Sequence, residues 1–177
     1  DRVVNLGCGA GPQVIIYNGQ FKEMVGVDIS SERLASAVVH ASRYGITTFS
    51  TVCANVEEVP LPDHSFDKAL AIDVIEHLEH PDRFCQEVRR LLKPGGELVI
   101  TFPAMHDKYT HALSVSKRAV MRLARREVQT PAHDEPREWN PDKHNQDFSL
   151  ARWIHIVEDA GFQLVRSRAS TLFPPLH

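Results

Sequence analysis

Cysteine is scarce in this sequence: only Cys8, Cys53 and Cys85 occur among 177 residues. An odd number without paired spacing excludes a disulfide framework and points to reduced thiols in a cytoplasmic setting. No run approaches the roughly 18 apolar residues of a membrane-crossing helix. The opening Asp-Arg-Val-Val-Asn-Leu lacks the form of a secretory signal. Neither sign of charge dominates: 20 Lys and Arg against 23 Asp and Glu leave −3, which removes a chain-wide attraction to nucleic acid or anionic membrane. Repeats and low-complexity tracts are absent. With 42% apolar and 24% charged residues, the composition is that of one folded domain that needs no metal or disulfide staple. The first residue is Asp1 rather than Met, directly before an apolar run, so the sequence reads as a trimmed piece of a longer chain with flanking elements missing at both ends.

Short β-rich runs alternate with helical patterns from Val3 to Phe102. The predicted strands are Val3 to Leu6, Met24 to Asp28, Thr47 to Cys53, Phe66 to Ile72 and Leu98 to Phe102. Ser30 is placed to cap a helix with Leu34, Val38 and Ala41 on its inner face and Gly45 at its end. Phe84, Val88, Leu91 and Leu92 form a second apolar stripe, stopped by Lys93-Pro94-Gly95-Gly96. Such βαβ units build a doubly wound, mostly parallel α/β sheet whose ligand crevice lies at the carboxyl ends of the strands. The regularity stops after Pro103, and residues 104–147 read as an insertion. It returns at Ser149, which caps a helix with Leu150, Trp153, Ile154 and Val157 inward, followed by Gly161 and a sixth strand from Phe162 to Ser167. The division predicted is a core over 1–103, the insertion over 104–147, and a C-terminal helix and strand of the same domain over 148–177.

The strongest motif is Gly7-Cys8-Gly9-Ala10-Gly11, a glycine loop directly after the first strand. The second strand ends in Asp28, where a carboxylate can accept from the two hydroxyls of a nucleoside ribose. A dinucleotide site requires Gly-x-Gly-x-x-Gly, with its third glycine opening a helix that holds a pyrophosphate. Here that position is Pro12, and the third glycine comes one residue early. The loop therefore favours S-adenosylmethionine over NAD, which stands as the competing ligand.

The third strand leads into Ala54-Asn55-Val56-Glu57-Glu58-Val59-Pro60-Leu61-Pro62-Asp63-His64-Ser65-Phe66-Asp67. With Ile72-Asp73-Val74-Ile75-Glu76-His77-Leu78 and Lys93-Pro94-Gly95-Gly96, the chain resembles the small-molecule branch of the class I S-adenosylmethionine-dependent methyltransferases, of the ubiquinone and menaquinone biosynthesis kind. That resemblance covers Val3 to Pro103 and Phe148 to Val165. It implies the Rossmann-like fold, with the last strand missing here. It also implies cofactor contacts from Asn5, Gly7, Cys8, Gly9 and Gly11, from Asp28 and Ile29, from Asn55 and Val56 at the adenine, and from Ile72 and Asp73. Two positions depart from the family: Asn5 and Asn55 stand where it has acids, which costs charge and keeps geometry.

Methyl transfer is an in-line displacement, so alignment and exclusion of water carry the catalysis. The family's acceptor lies over the ends of strands four and five. That makes His77 the candidate base for a hydroxyl acceptor, with His106 and His111 behind it and Tyr109 and His144 as acceptor contacts. The absence of an Asn-Pro-Pro-Tyr turn after strand four weighs against adenine or amide nitrogen and leaves oxygen and carbon open. His77 and His80, with Glu76 and Glu79 beside them, read as two solvent-facing acids at the polar start of a helix rather than as a metal site.

The insertion carries five basic residues and no acid across Lys117 to Arg126. This basic amphipathic stretch suits an anionic or lipid-like acceptor. It holds no aromatic residues for stacking bases, which makes nucleic acid the weaker partner. A small-molecule methyltransferase is the reading. A non-catalytic cofactor-binding module and an RNA methyltransferase are its alternatives.

Overall fold

The computed structural model describes residues 1–101 and 148–166. Its elements are β1 (Arg2–Leu6), α1 (Pro12–Ile16), β2 (Glu23–Asp28), α2 (Ser31–Arg43), β3 (Phe49–Cys53), β4 (Phe66–Ile72), a 3-10 turn (Ile75–His77), α3 (Pro81–Leu91), β5 (Leu92–Thr101) and α4 (Leu150–Asp159). The five described strands pair in the order β3-β2-β1-β4-β5. Every pairing is parallel.

β1 is central and buried on both faces, which is why it reads as an unbroken apolar run rather than an alternating one. One face places Val4 and Leu6 in a core with Phe66, Phe84, Val88, Leu91, Trp153 and Ile156. The other places Val3 against Val14 of α1, Met24, Ala41 and Leu70. Phe66 and Phe84 are fully buried, and each removal of such a ring from water contributes roughly 1.5–3 kcal/mol. Ser30 and Ser149 cap α2 and α4 as predicted, their hydroxyl oxygens accepting from the N–H groups of Arg33 and Arg152 at 3.3 Å each.

Four sequence expectations are corrected. On α2 the inward residues are Leu34, Ala37 and Ala41, while Val38 is 46% exposed. The helix is rotated to set its smallest side chains against the glycine loop. On α4 the buried pair is Trp153 and Ile156, with Leu150 39% exposed at the first turn. Leu92 belongs to β5 and not to α3. The register passes from Phe66↔Leu92 to Lys68↔Glu97, so Lys93 to Gly96 bulge from a strand that continues through them. The strand predicted from Phe162 is not formed over 162–166, where Leu164 and Val165 are exposed and none of the described strands lies alongside.

The amino ends of the strands are tied together. Asp67 accepts from the Arg2 N–H at 2.7 Å and the Lys93 ammonium at 2.6 Å. These two donors, the backbone one first, hold its carboxyl below the usual carboxylate range. The Arg2 guanidinium pairs with Glu23 at 2.8 Å and lies 4.8 Å from the centroid of the Phe66 ring.

Candidate active site

Strand order reverses between β1 and β4, so a crevice opens at their carboxyl ends. The predicted residues lie along it, from Ile72 and Asp73 after β4 across the glycine loop to Asp28 after β2 and Asn55 after β3. Three strand spacings make this path roughly 14 Å, the reach of an extended nucleoside with an amino-acid tail.

Two glycines of the loop are demanded by contact as well as by backbone. A Cβ on Gly7 (φ +67°) would lie 2.5 Å from Val74 Cγ2, and one on Gly11 (φ +77°) would lie 2.9 Å from Ala37 Cβ. The first contact joins the loop to the turn after β4, and the second joins it to α2. Gly9 differs: none of the described residues stands within 4 Å of its Cβ position, which leaves the crevice open on their side.

Asp28 is 6% exposed. Its Oδ2 accepts from the Gly9 N–H at 2.8 Å and its Oδ1 from the Ser30 N–H at 2.9 Å. A carboxylate has about four acceptor sites, so this one braces the loop and α2 and still has capacity for ribose hydroxyls. Cys8 is buried, its thiol 3.7 Å from Gly9 O. Its N–H bonds to Val27 O at 3.0 Å, while burial first, and Asp28 second, push its thiol up to about 12.

Asn5 is 1% exposed. Its Nδ2 donates to Gln13 Oε1 at 3.3 Å, and its Oδ1 has no hydrogen-bond partner among the described residues. A buried acceptor left unmet beside the loop suits an N–H or ammonium donor. The open space at Gly9, the Asp28 carboxylate and this orphan carbonyl together fit S-adenosylmethionine.

Ile29, 55% exposed, offers an apolar face beside Asp28. Asn55 Oδ1 accepts from the Glu57 N–H at 3.0 Å, closing an Asx turn, and Val56 is buried. The loop is held from α3. Arg90 donates to Val59 O at 2.8 Å and Leu61 O at 2.9 Å and pairs with Asp63 and Glu87. Glu87 in turn accepts from the Val59 N–H at 2.7 Å.

Asp73 sits at φ +53°, a left-handed backbone that a non-glycine residue adopts at a cost. Thr101 holds it there: the Asp73 N–H reaches Thr101 O at 3.2 Å, and the Thr101 hydroxyl donates to Asp73 Oδ1 at 2.9 Å. His77 closes the 3-10 turn, with Nε2 4.0 Å from Glu76 Oε1. Glu76 is 3% exposed, correcting its reading as a solvent-facing acid. Residues 75–77 form a 3-10 turn that buries Glu76 together with Ile75, in place of the exposed α-helical start that the sequence predicts. His106, Tyr109, His111, His144 and the basic stretch 117–126 lie outside the described residues. The residues that sequence reasoning missed, Gln13, His40, Glu87, Arg90 and Thr101, each act through a partner on another element.

A family profile described as a methyltransferase domain matches residues 4–100. The ubiquinone biosynthesis O-methyltransferase of Bradyrhizobium sp. (strain ORS 278) is 34% identical over 100 residues, covering 56% of this chain and 39% of that protein. That of Rhodopseudomonas palustris (strain BisB18) is 29% identical over 157 residues, covering 88% of this chain and 61% of that protein. The chain thus spans between two fifths and three fifths of these relatives' length. Among solved structures, the [4+2]-cyclase SpnF superposes with a TM-score of 0.66 at 24% identity, over 93% of this chain and 53% of that one. That likeness speaks for the fold. With the profile spanning more than half of the chain and the crevice built as described, the chain belongs to the class I S-adenosylmethionine-dependent methyltransferases.

Proposed function

We propose that the protein methylates a hydroxyl oxygen of a small-molecule acceptor, using S-adenosylmethionine bound along the crevice. The observation that carries this is the buried Asp28 carboxylate, fastened to the Gly9 N–H at 2.8 Å where the loop leaves open space. The O-methyltransferase relatives favour oxygen over carbon.

The cofactor, when bound, supplies an electrophilic methyl group on a sulfonium. Asp28 and Ile29 hold the nucleoside, and Asn55 and Val56 meet the adenine. Asn5 Oδ1 and the loop backbone receive the amino-acid end. Ile72 and Asp73, fixed by Thr101, form the floor between cofactor and acceptor. His77 takes the hydroxyl proton at a ring nitrogen, with His106 and His111 as further bases and Tyr109 and His144 as acceptor contacts. The insertion covers the acceptor, and its basic stretch 117–126 attracts an anionic or lipid-like one. No described helix is long and apolar enough to cross a membrane, and the free thiols suit a cytoplasmic setting.

The test is turnover with a panel of phenolic and catechol acceptors, following S-adenosylhomocysteine and methylated product. His77→Gln is expected to lower kcat about 100-fold or more, the usual worth of a general base, and to leave the Kd for S-adenosylhomocysteine unchanged. Full-rate methylation by that variant removes His77 from the mechanism. Binding of S-adenosylhomocysteine without turnover on any acceptor favours the non-catalytic module.

A further inference from the structure

We infer that His40, on α2, is a positioning residue for the amino-acid end of the cofactor, acting by fixing the Ala10 carbonyl within the glycine loop. This rests on the cofactor reading above. His40 Nδ1 lies 3.0 Å from Ala10 O across 30 residues of sequence. A carbonyl only accepts, so Nδ1 carries the hydrogen.

The other loop contacts are made to the strand ends or between loop neighbours. Cys8 N–H bonds to Val27 O at 3.0 Å, Gly9 N–H to Asp28 at 2.8 Å and Gly11 N–H to Cys8 O at 2.9 Å. The Ala10 carbonyl takes its anchor from α2 instead. Its neighbours Gly9 and Gly11 are both left-handed and have no side chain to resist a change of backbone angle. The local chain holds this peptide at its N–H side alone, through Gly11 N–H to Cys8 O at 2.9 Å, and the imidazole holds its carbonyl side. The contact depends on how closely α2 approaches. Ala37 meets Gly11 at a distance that leaves no room for a Cβ, and His40, three residues on, lies on the same helix face. Asp28 is held by the Ser30 N–H as well as by the Gly9 N–H, and Asn55 follows β3, so the nucleoside end has anchors that do not pass through Ala10, and the amino-acid end is the one that depends most on His40.

The experiment is calorimetry on the full chain with two ligands, S-adenosylhomocysteine and 5′-methylthioadenosine, which keeps the nucleoside and lacks the amino-acid end. His40→Leu is expected to raise the Kd for S-adenosylhomocysteine roughly tenfold, the worth of one hydrogen bond, and to leave 5′-methylthioadenosine within about twofold of wild type. His40→Asn, whose amide N–H can reach the same carbonyl, is expected to restore most of the loss. Unchanged S-adenosylhomocysteine binding by His40→Leu overturns the inference, as does an equal loss for both ligands, which would make His40 a support of the fold as a whole. Failure of His40→Asn to rescue overturns it too. A wild type that binds neither ligand overturns the cofactor reading itself, and the role of His40 with it.

Discussion

Asp28→Asn is expected to weaken S-adenosylhomocysteine binding by at least about 100-fold. Two hydrogen bonds from ribose hydroxyls to a desolvated carboxylate are worth roughly 1.5–3 kcal/mol each, or roughly 100-fold and upward together. The substitution also turns one oxygen into an NH2 group. That group faces either the Gly9 N–H or the Ser30 N–H, which now bond to the carboxylate at 2.8 and 2.9 Å. A donor then meets a donor in a site 6% exposed, which costs about 1–3 kcal/mol of stability. Calorimetry and a thermal melt measure the two losses separately. An affinity within tenfold of wild type would remove Asp28 from the ribose site.

Arg90→Leu is expected to give the larger loss of stability, about 2–3 kcal/mol, or roughly 5–10 °C in Tm for a chain of this size. The figure is kept low because the Arg90 side chain is 32% exposed. Without the guanidinium, the carbonyls of Val59 and Leu61 lose their donor and Glu87 loses its cation. The loop after β3 then loosens, and Asn55 with it, so S-adenosylhomocysteine affinity falls alongside Tm.

The same pair sets an acid limb. Burial pushes the Glu87 carboxyl up, but the Arg90 guanidinium and the Val59 N–H together bring it below its ordinary value of 4.5. A depressed carboxyl contributes stability that is present above the unfolded value and lost as pH falls through the folded one. The Tm gap between wild type and Arg90→Leu is therefore expected to be widest near neutrality and to narrow below about pH 4.5. A gap that is constant with pH would show that the Glu87 charge plays no part.

What the sequence made legible follows from what leaves a local trace. β1, β2 and β4 are buried strands of a parallel sheet and read as apolar runs, so Val3 to Leu6, Met24 to Asp28 and Phe66 to Ile72 matched to within a residue. β5 was shortened because Pro94, Gly95 and Gly96 are turn residues by type, and only the ladder to β4 shows the backbone passing through them. The strand from Phe162 had the composition of a strand, but a strand also requires a neighbour. In α2 the helical period was right and the face was off by one residue, because the glycine loop selects Ala37 over the more apolar Val38. The glycine loop, Asp28 and Asn55 were readable because each ends a strand. Glu76 was misread because its burial depends on a 3-10 turn that spacing does not distinguish from the start of an α-helix. His40, Gln13, Glu87 and Arg90 escaped because their contacts to Ala10, Asn5 and Val59 cross from one element to another, and such a contact has no period.

The strand order has a consequence for how the sheet closes and opens. The pairings β1 with β2, β2 with β3 and β4 with β5 each join residues about 20 to 30 positions apart, whereas β1 meets β4 across 65. Loop-closure entropy makes that one seam costlier by about 1 kcal/mol, the largest such cost among the described pairings. The crevice lies on this seam, with the glycine loop on one half and Ile72 and Asp73 on the other. A ligand lying across it acts as a rivet between the two sides, holding closed the pairing that spans the longest stretch of chain.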